Sequence, residues 1–485
     1  DRLRSGLDLL ATSLQDVPQR HRSARALLDH SWALLSPAEQ ATLAALSVFR
    51  GGWRVEEAAS VIGSGTANTE ILLLGLLDKS LVRSTGGDHY DLHELVRQYA
   101  GEKLAALGSP ADLAAPSGEE VLQRHYAAYL AYARAVDDRL RGPDAATWFR
   151  YMDAEQDNMR AALQWALTRA RFADMAWLTL ALAWYWSRRG HWQEAVDWLK
   201  AALAGAEDLP RDLYVACLCA QYSMEMNVSP PEIVSDNVLR LVVLARSCEH
   251  GLLLPAALMM RALSALDPQA AEAACAEALA CLDRLQDVAP ANEFCLFGVK
   301  EPLEANLLFR YGSLLSRRGA YADARRYLAA SAAIERAAGN NDTVADPLGR
   351  LGQLALIEGD MAQARAHIHA AYAAVRSSGN AMGLATWQPL YARLLLYEGD
   401  CESALQLARD SLAYCHLLHD SVALAKATTV LAAAGLQCGD FAEAERCVLA
   451  AGQYFTHGRY LRPELVDCVY VAARLAAAQQ RYPRP

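Results

Sequence analysis

Gly319-Ala-Tyr-Ala-Asp-Ala324, Gly359-Asp-Met-Ala-Gln-Ala364, Gly399-Asp-Cys-Glu-Ser-Ala404 and Gly439-Asp-Phe-Ala-Glu-Ala444 are four versions of one hexapeptide, with glycines 40 residues apart each time. A motif recurring at one fixed period is an internal repeat. Each copy has an apolar helix before the glycine and an amphipathic helix after it, as in Thr386 to Glu398 and Cys401 to Leu418. The glycine ends the first helix in a left-handed conformation, the Asp caps the next, and the alanine five residues on is small enough for close helix contact. An earlier copy, Gly190-His-Trp-Gln-Glu-Ala195, starts the stack well before residue 300. Between 200 and 300 the period blurs, with helices expected near 211–226, 231–249 and 268–285 and loops at Asn227 to Pro231 and Val288 to Pro302.

Working outward, the whole chain has the composition of packed helices. Its 485 residues are 53% hydrophobic, roughly a fifth are alanine, and Gly (29) and Pro (17) are modest, which excludes collagen-like, disordered and disulfide-scaffold chains. The length is a prior for two to four domains. The longest apolar runs, Met175 to Trp186 and Ile71 to Leu77, fall short of the roughly 18 to 20 residues that span a bilayer, so no membrane partner is expected. The eleven cysteines are scattered without a C-x-x-C pair, which fits reduced thiols and a cytoplasmic location. The chain starts at Asp1 with no basic and apolar export signal, as an excised piece would. No G-x-x-x-x-G-K-[ST] occurs, so no phosphate-cradling loop is in this sequence.

The front reads differently from the repeats. Helices are expected over Ser23 to Leu35, Pro37 to Leu46, Val55 to Ile62 and Asn68 to Leu77, with Ser36-Pro37 as N-cap and first-turn proline. The period then changes to 2: Ser80 to Arg83 and Asp88 to Leu92 flank Gly86-Gly87, a hairpin, and a helix resumes at Glu94 and runs to Leu107. Helices followed by a hairpin wing describe a winged helix. Residues 1 to 108 hold 11 basic against 13 acidic residues, and the would-be recognition helix carries Glu70 and leucines but no basic residue. Base and phosphate contacts need Arg, Lys, Asn or Gln, so direct DNA binding is not expected.

The run Arg22 to Gln40, then Leu46-Ser-Val-Phe-Arg-Gly-Gly-Trp53, Leu77-Asp-Lys-Ser-Leu81 and Leu92-His-Glu-Leu-Val-Arg-Gln-Tyr-Ala100 resembles the winged-helix segment of bacterial STAND signalling ATPases. These are NLR-like regulators related to LuxR- and SARP-type transcriptional activators. Leu7 to Leu10 and Asp16 to Arg20 resemble the last helical piece of the upstream ATPase module, and the 40-residue units resemble tetratricopeptide repeats. The implied fold is mainly α: an ATPase tail over 1–22, a winged-helix domain over 23–108, irregular first solenoid helices over 119–300 and regular repeats over 301–485, forming an α-solenoid superhelix. His93, in Leu92-His93-Glu94, matches the histidine that holds the β-phosphate of ADP in the closed state of related proteins; here Leu and Glu replace the usual Met and Asp. The resemblance implies no cofactor in this chain itself, and ADP or ATP with Mg in the longer protein.

A repeat stack presents a binding surface on one side. The positions about 6, 10 and 13 residues before each turn glycine give Asn306, Phe309 and Ser313, then Asp346 and Gln353, Thr386 and Arg393, and Lys426 and Thr429. They suit a small polar ligand or a peptide or protein inducer. The other implied partners are the upstream nucleotide-binding domain and further copies of the activated protein. Six tryptophans, Trp165, Trp177, Trp184, Trp186, Trp192 and Trp198, have the spacing of packed core. His367-x-His369 and His416-x-x-His419 lack a third ligand, so no metal is expected, and no nucleophile with a positioned base marks an enzyme. The expected function is the sensing and autoinhibitory part of such a regulator. A scaffold without a nucleotide switch and the sensor of an NLR-like defence protein are the alternatives.

Overall fold

The structure is a computed structural model that describes residues 24–106, 117–137, 139–141, 144–228, 231–285, 299–340, 342–418, 421–457 and 462–481. The expected ATPase tail over 1–22 lies outside the described residues. By internal contacts the chain forms two compact units. The first comprises Asp1–Ala135, Arg150–Thr179 and Ala201–Asp208, and the second Val136–Phe149, Leu180–Lys200 and Leu209–Pro485.

The first unit opens with α1 (Ala24–Ala33), α2 (Pro37–Leu46), β1 (Trp53–Arg54), α3 (Val55–Ile62) and α4 (Thr66–Asp78). The hairpin β2 (Arg83–Gly86) and β3 (His89–Asp91) follows, then α5 (Glu94–Ala106). Ser36 starts α2 with a reciprocal cap: its backbone N–H donates to Glu39 Oε2 at 2.8 Å and its hydroxyl accepts the Glu39 N–H at 3.3 Å. A hairpin is present as expected, but its first strand is Arg83–Gly86 rather than Ser80–Arg83, which puts the turn at Gly87-Asp88 instead of Gly86-Gly87. The sequence reading missed the two-residue strand β1, which pairs antiparallel with β3, Trp53 opposite Tyr90, to give the order β1-β3-β2. Phe49, Trp53, Leu73, Leu92 and Tyr99 are buried here.

Two further helices carry core residues of this unit, α6 (Gly118–Asp137) and α7 (Ala145–Thr168). Asn158 accepts the Arg50 N–H at 2.5 Å and donates to the Gly52 carbonyl at 2.8 Å, which ties α7 to the turn before β1. The Tyr129 hydroxyl donates to Glu155 at 2.8 Å. His125 is buried beside Phe49 and Tyr129, and burial pushes its imidazole down to about 4.

The remaining helices are α8 (Phe172–Arg189), α9 (Trp192–Leu203), α10 (Arg211–Val228), α11 (Pro231–Ala245), α12 (Leu253–Ser264) and α13 (Pro268–Arg284). Then come α14 (Lys300–Arg318) with α15 (Tyr321–Ala337), α16 (Ala345–Glu358) with α17 (Met361–Ser378), α18 (Ala381–Glu398) with α19 (Cys401–Leu417), α20 (Ser421–Cys438) with α21 (Phe441–His457), and α22 (Arg462–Arg481). Each pair packs as a hairpin and each hairpin packs on the next.

The hexapeptide does what its chemistry predicts. Gly319, Gly359, Gly399 and Gly439 have φ of 85, 78, 88 and 82°, and Asp360, Asp400 and Asp440 accept the N–H groups of Gln363, Ser403 and Glu443. Ala324, Ala364, Ala404 and Ala444 are wholly buried. Ion pairs join successive hairpins, Arg325 to Glu358, Arg365 to Glu398 and Arg409 to Glu443. Two expectations are corrected: α12 lies in a stretch where no helix was expected, and α14 starts at Lys300, so Pro302 belongs to a helix rather than to the loop assigned to Val288–Pro302. Proline fits there because the first-turn N–H groups have no helical partner.

Candidate ligand cavity

Within the second unit, helices α8, α10, α12, α14, α15, α16 and α18 enclose a cavity of about 350 Å³ together with the 3-10 turn Arg139–Arg141. Its apolar wall includes Met226, Met259, Leu263, Leu303, Phe309 and Pro347. Its polar wall is made of Arg141, Trp184, Arg188, Asn306, Arg310, Glu335, Asn340, Thr343 and Asp346. A pocket with an apolar body and a few polar groups is the usual form of a small-ligand site.

Two of the three arginines are already matched. The Arg188 Nε donates to Asp342 at 2.8 Å, and the wholly buried Asp342 carboxylate also accepts Ser378 Oγ at 3.0 Å and Asn380 Nδ2 at 2.8 Å. Burial alone would lower the Arg188 guanidinium, but Asp342 and Asp346 outweigh it and hold it above its ordinary value. Arg141 donates to Asp137 at 2.9 Å. Both guanidinium groups stand over the Trp184 ring, 4.7 and 4.9 Å from its centroid.

Arg310 differs. Its Nε donates to Asn306 at 3.1 Å and its guanidinium stands 5.3 Å from the Phe309 ring, while burial pushes it below the ordinary arginine value. Among the described residues it has no ion pair. Asp346 likewise has none; it accepts the Trp387 Nε1–H at 2.8 Å. Glu335 is buried and its carboxyl is pushed up by burial, with the Asn340 amide at 2.7 Å and the Thr343 hydroxyl at 2.5 Å opposing that rise. The Trp184 Nε1–H and the Arg141 Nε are buried without a hydrogen-bond partner. Buried donors are almost always satisfied, so orphans at a cavity mark where something else bonds.

Of the residues chosen from the sequence, Asn306, Phe309 and Asp346 meet at this cavity. Ser313, Gln353, Thr386 and Arg393 do not join its wall. The Ser313 hydroxyl is buried without a partner, Gln353 accepts from Arg350 at 2.8 Å, and Thr386 donates to its own helix at Met382. Arg393 is ion-paired with Asp467 at 2.7 Å. Thr429 is buried and bonded to the Ala425 carbonyl at 2.7 Å. The sequence reading missed Arg310, four residues after Asn306 and so on the same helix face, and it took Trp184 for core. Trp165, Trp186 and Trp192 are buried, as core spacing implies. In the first unit, His93 is exposed just before α5, and its Nδ1 accepts the Leu95 N–H at 3.3 Å.

Among the described residues, no group of three or more His, Cys, Asp or Glu is placed to hold a metal ion. His419 lies outside them. No single helix among them is long and apolar enough to cross a membrane.

No protein-family model matches the chain. It is 32% identical over 208 residues to a provisionally named HTH-type transcriptional regulator of Mycobacterium tuberculosis strain H37Rv and, equally, to one of Mycobacterium bovis. The match covers 41% of this chain and 22% of each relative, so it spans about a fifth of the length of these curated relatives. Among solved structures, the chain is similar to a Rap protein complexed with competence and sporulation factor, at 12% identity and a TM-score of 0.50, over 79% of this chain and 93% of that one. The larger unit is a tetratricopeptide-like helical repeat. A signal transduction ATPase with numerous domains and a tetratricopeptide repeat sensor, from Pyrococcus horikoshii, aligns over 94% of this chain and 67% of its own, at 14% identity and a TM-score of 0.48.

Proposed function

We propose that this chain is the sensing and autoinhibitory part of a STAND-type signalling ATPase that regulates transcription. The observation that carries the reading is the cavity, where repeat helices line about 350 Å³ with buried donors that have no partner among the described residues. The STAND-like blocks of residues 22–100 and the 32% identity to mycobacterial HTH-type regulators support the regulatory context. In this reading an inducer, a small polar molecule or the end of a peptide, occupies the cavity. Residues 23–108, as a winged-helix domain, help hold a closed form in which His93 contacts the phosphate of ADP bound by an upstream nucleotide-binding domain, with Mg accompanying ATP in the open form. The open form self-associates.

An inducer shifts such an equilibrium only through its preference for one state, and moving a population from mostly closed to mostly open takes roughly 5 kcal/mol of differential affinity. Native mass spectrometry of the purified 485-residue chain tests the sensing step. A stoichiometric small molecule or peptide that is lost from Asn306→Ala and Trp184→Ala variants is the expected result. A ligand retained by both variants would move the site away from the cavity.

A further inference from the structure

Asp346 acts on Arg188 and Arg310 across the cavity without a direct contact to either, while Glu335 is engaged by Asn340 and Thr343. Arg141 is matched by Asp137 and Arg188 by Asp342, whereas Arg310 and Asp346 line the same space with opposite charges and are ion-paired neither with each other nor with any other described residue. Both are half-buried, and a charge held partly out of water gains when a counter-charge arrives. Opposite charges that face one space without touching, Arg310 and Asp346, therefore suit a ligand that carries both. Each has bonding capacity to spare: only the Nε of Arg310 is engaged, by Asn306, and Asp346 accepts one hydrogen bond through Oδ1, from Trp387. The Trp184 Nε1–H adds an unmatched donor. Between these groups the wall is apolar, with Phe309, Met226, Met259 and Leu263.

We propose that the cavity binds a small zwitterion of the α-amino-acid type, its carboxylate held by Arg310 and its ammonium by Asp346, with an apolar side chain against Phe309 and the methionines. This inference rests on the cavity being the sensor's ligand site. Guanidinium suits the carboxylate because its planar fork offers two parallel donors.

The test titrates the 485-residue chain with L-leucine, L-methionine and L-phenylalanine, and with their N-acetyl and carboxamide forms, read by calorimetry. The free amino acids should bind. The carboxamides should lose about ten- to a hundredfold in affinity, as expected for a charged hydrogen bond, and so should the N-acetyl forms. Arg310→Gln should bind free acid and carboxamide alike, and Asp346→Asn, which keeps an acceptor for Trp387, should treat free and N-acetyl forms alike. An unchanged far-ultraviolet circular dichroism spectrum and a cooperative thermal transition in Asp346→Asn would establish that this variant is folded. Equal binding of free and blocked forms by the wild-type chain, or no binding of any free amino acid, would overturn the zwitterion. A neutral ligand found by native mass spectrometry would do the same yet leave the cavity a ligand site. Amino-acid binding that follows the two variants but leaves transcription by the longer protein unchanged would uphold the ligand class and remove the sensing role.

Discussion

Arg188 is nearly buried and its partner Asp342 wholly so, and that burial decides what the pair is worth. Asp342→Ala leaves a buried guanidinium without its partner, and such a loss costs about 3 to 5 kcal/mol. The half-exposed Arg393 and Asp467 pair should behave differently: Arg393→Ala should cost at most about 1 kcal/mol, because solvent already screens it. Urea unfolding of the two variants measures both, and equal losses would contradict the contrast. His125 gives the residue scale a pH dependence. Its folded pKa of about 4 lies below the unfolded value of about 6.5, so its contribution is fully present above pH 6.5 and is lost as pH falls toward 4. The size is about 3 kcal/mol. His89 has the opposite sign, since the Glu155 carboxylate 3.6 Å from its Nε2 raises it, and its contribution fades as pH rises. Comparing wild type with His125→Phe by denaturation at pH 7 and pH 4.5, the variant should lose less stability on acidification; parallel losses would place the acid sensitivity elsewhere.

At the level of elements, close approach matters more than propensity. A Cβ at Gly349 would meet the Trp387 ring at 2.2 Å, and that ring's N–H holds Asp346. Gly349→Ala should therefore destabilise by about 1 to 3 kcal/mol and also shift tryptophan emission and weaken cavity binding. At Gly359 an added Cβ meets nothing, so Gly359→Ala should cost about 1 to 2 kcal/mol through its positive φ alone and leave emission unchanged. The turn glycines were legible because a left-handed residue at a helix end has few chemical solutions. Helix α12 was not, since Leu253, Ala256, Ala257, Leu258, Met259 and Met260 are all buried and an all-round apolar helix has no 3.6-residue stripe to read. Strand β1 is two residues long and takes its definition from β3. The cavity was half legible: counting back from the turn glycine found Asn306, Phe309 and Asp346. Arg310 stands one position from that register, and what makes it notable, the lack of an acid beside it, is a property of the fold.

For the molecule as a whole, the sequence holds no phosphate-cradling loop, so under the proposed function His93 would supply a single contact to a nucleotide bound elsewhere. Calorimetry with ADP should give no measurable heat with this chain, and micromolar binding would contradict the proposed need for a separate nucleotide-binding domain. An occupant of the cavity should stabilise the second unit by about 2.7 kcal/mol when present at a hundred times its Kd. That gain is readable as a rise in the melting temperature.

The Arg188 and Asp342 pair also bears on the order in which the molecule can be made. Repeat hairpins close between neighbours, whereas this pair joins positions 154 residues apart and is completed by Ser378 and Asn380. Chain entropy makes the longer closure only about 1 kcal/mol harder than closing a 40-residue unit, since each doubling of loop length adds about 0.6 kcal/mol. Synthesis imposes the stricter limit. A nascent chain can fold Trp184 and its neighbours long before residue 380 leaves the ribosome, yet it has no finished pocket until then. A chain truncated before residue 342 would therefore lack both Asp346 and the partner of Arg188, and under the proposed function it should not respond to an inducer.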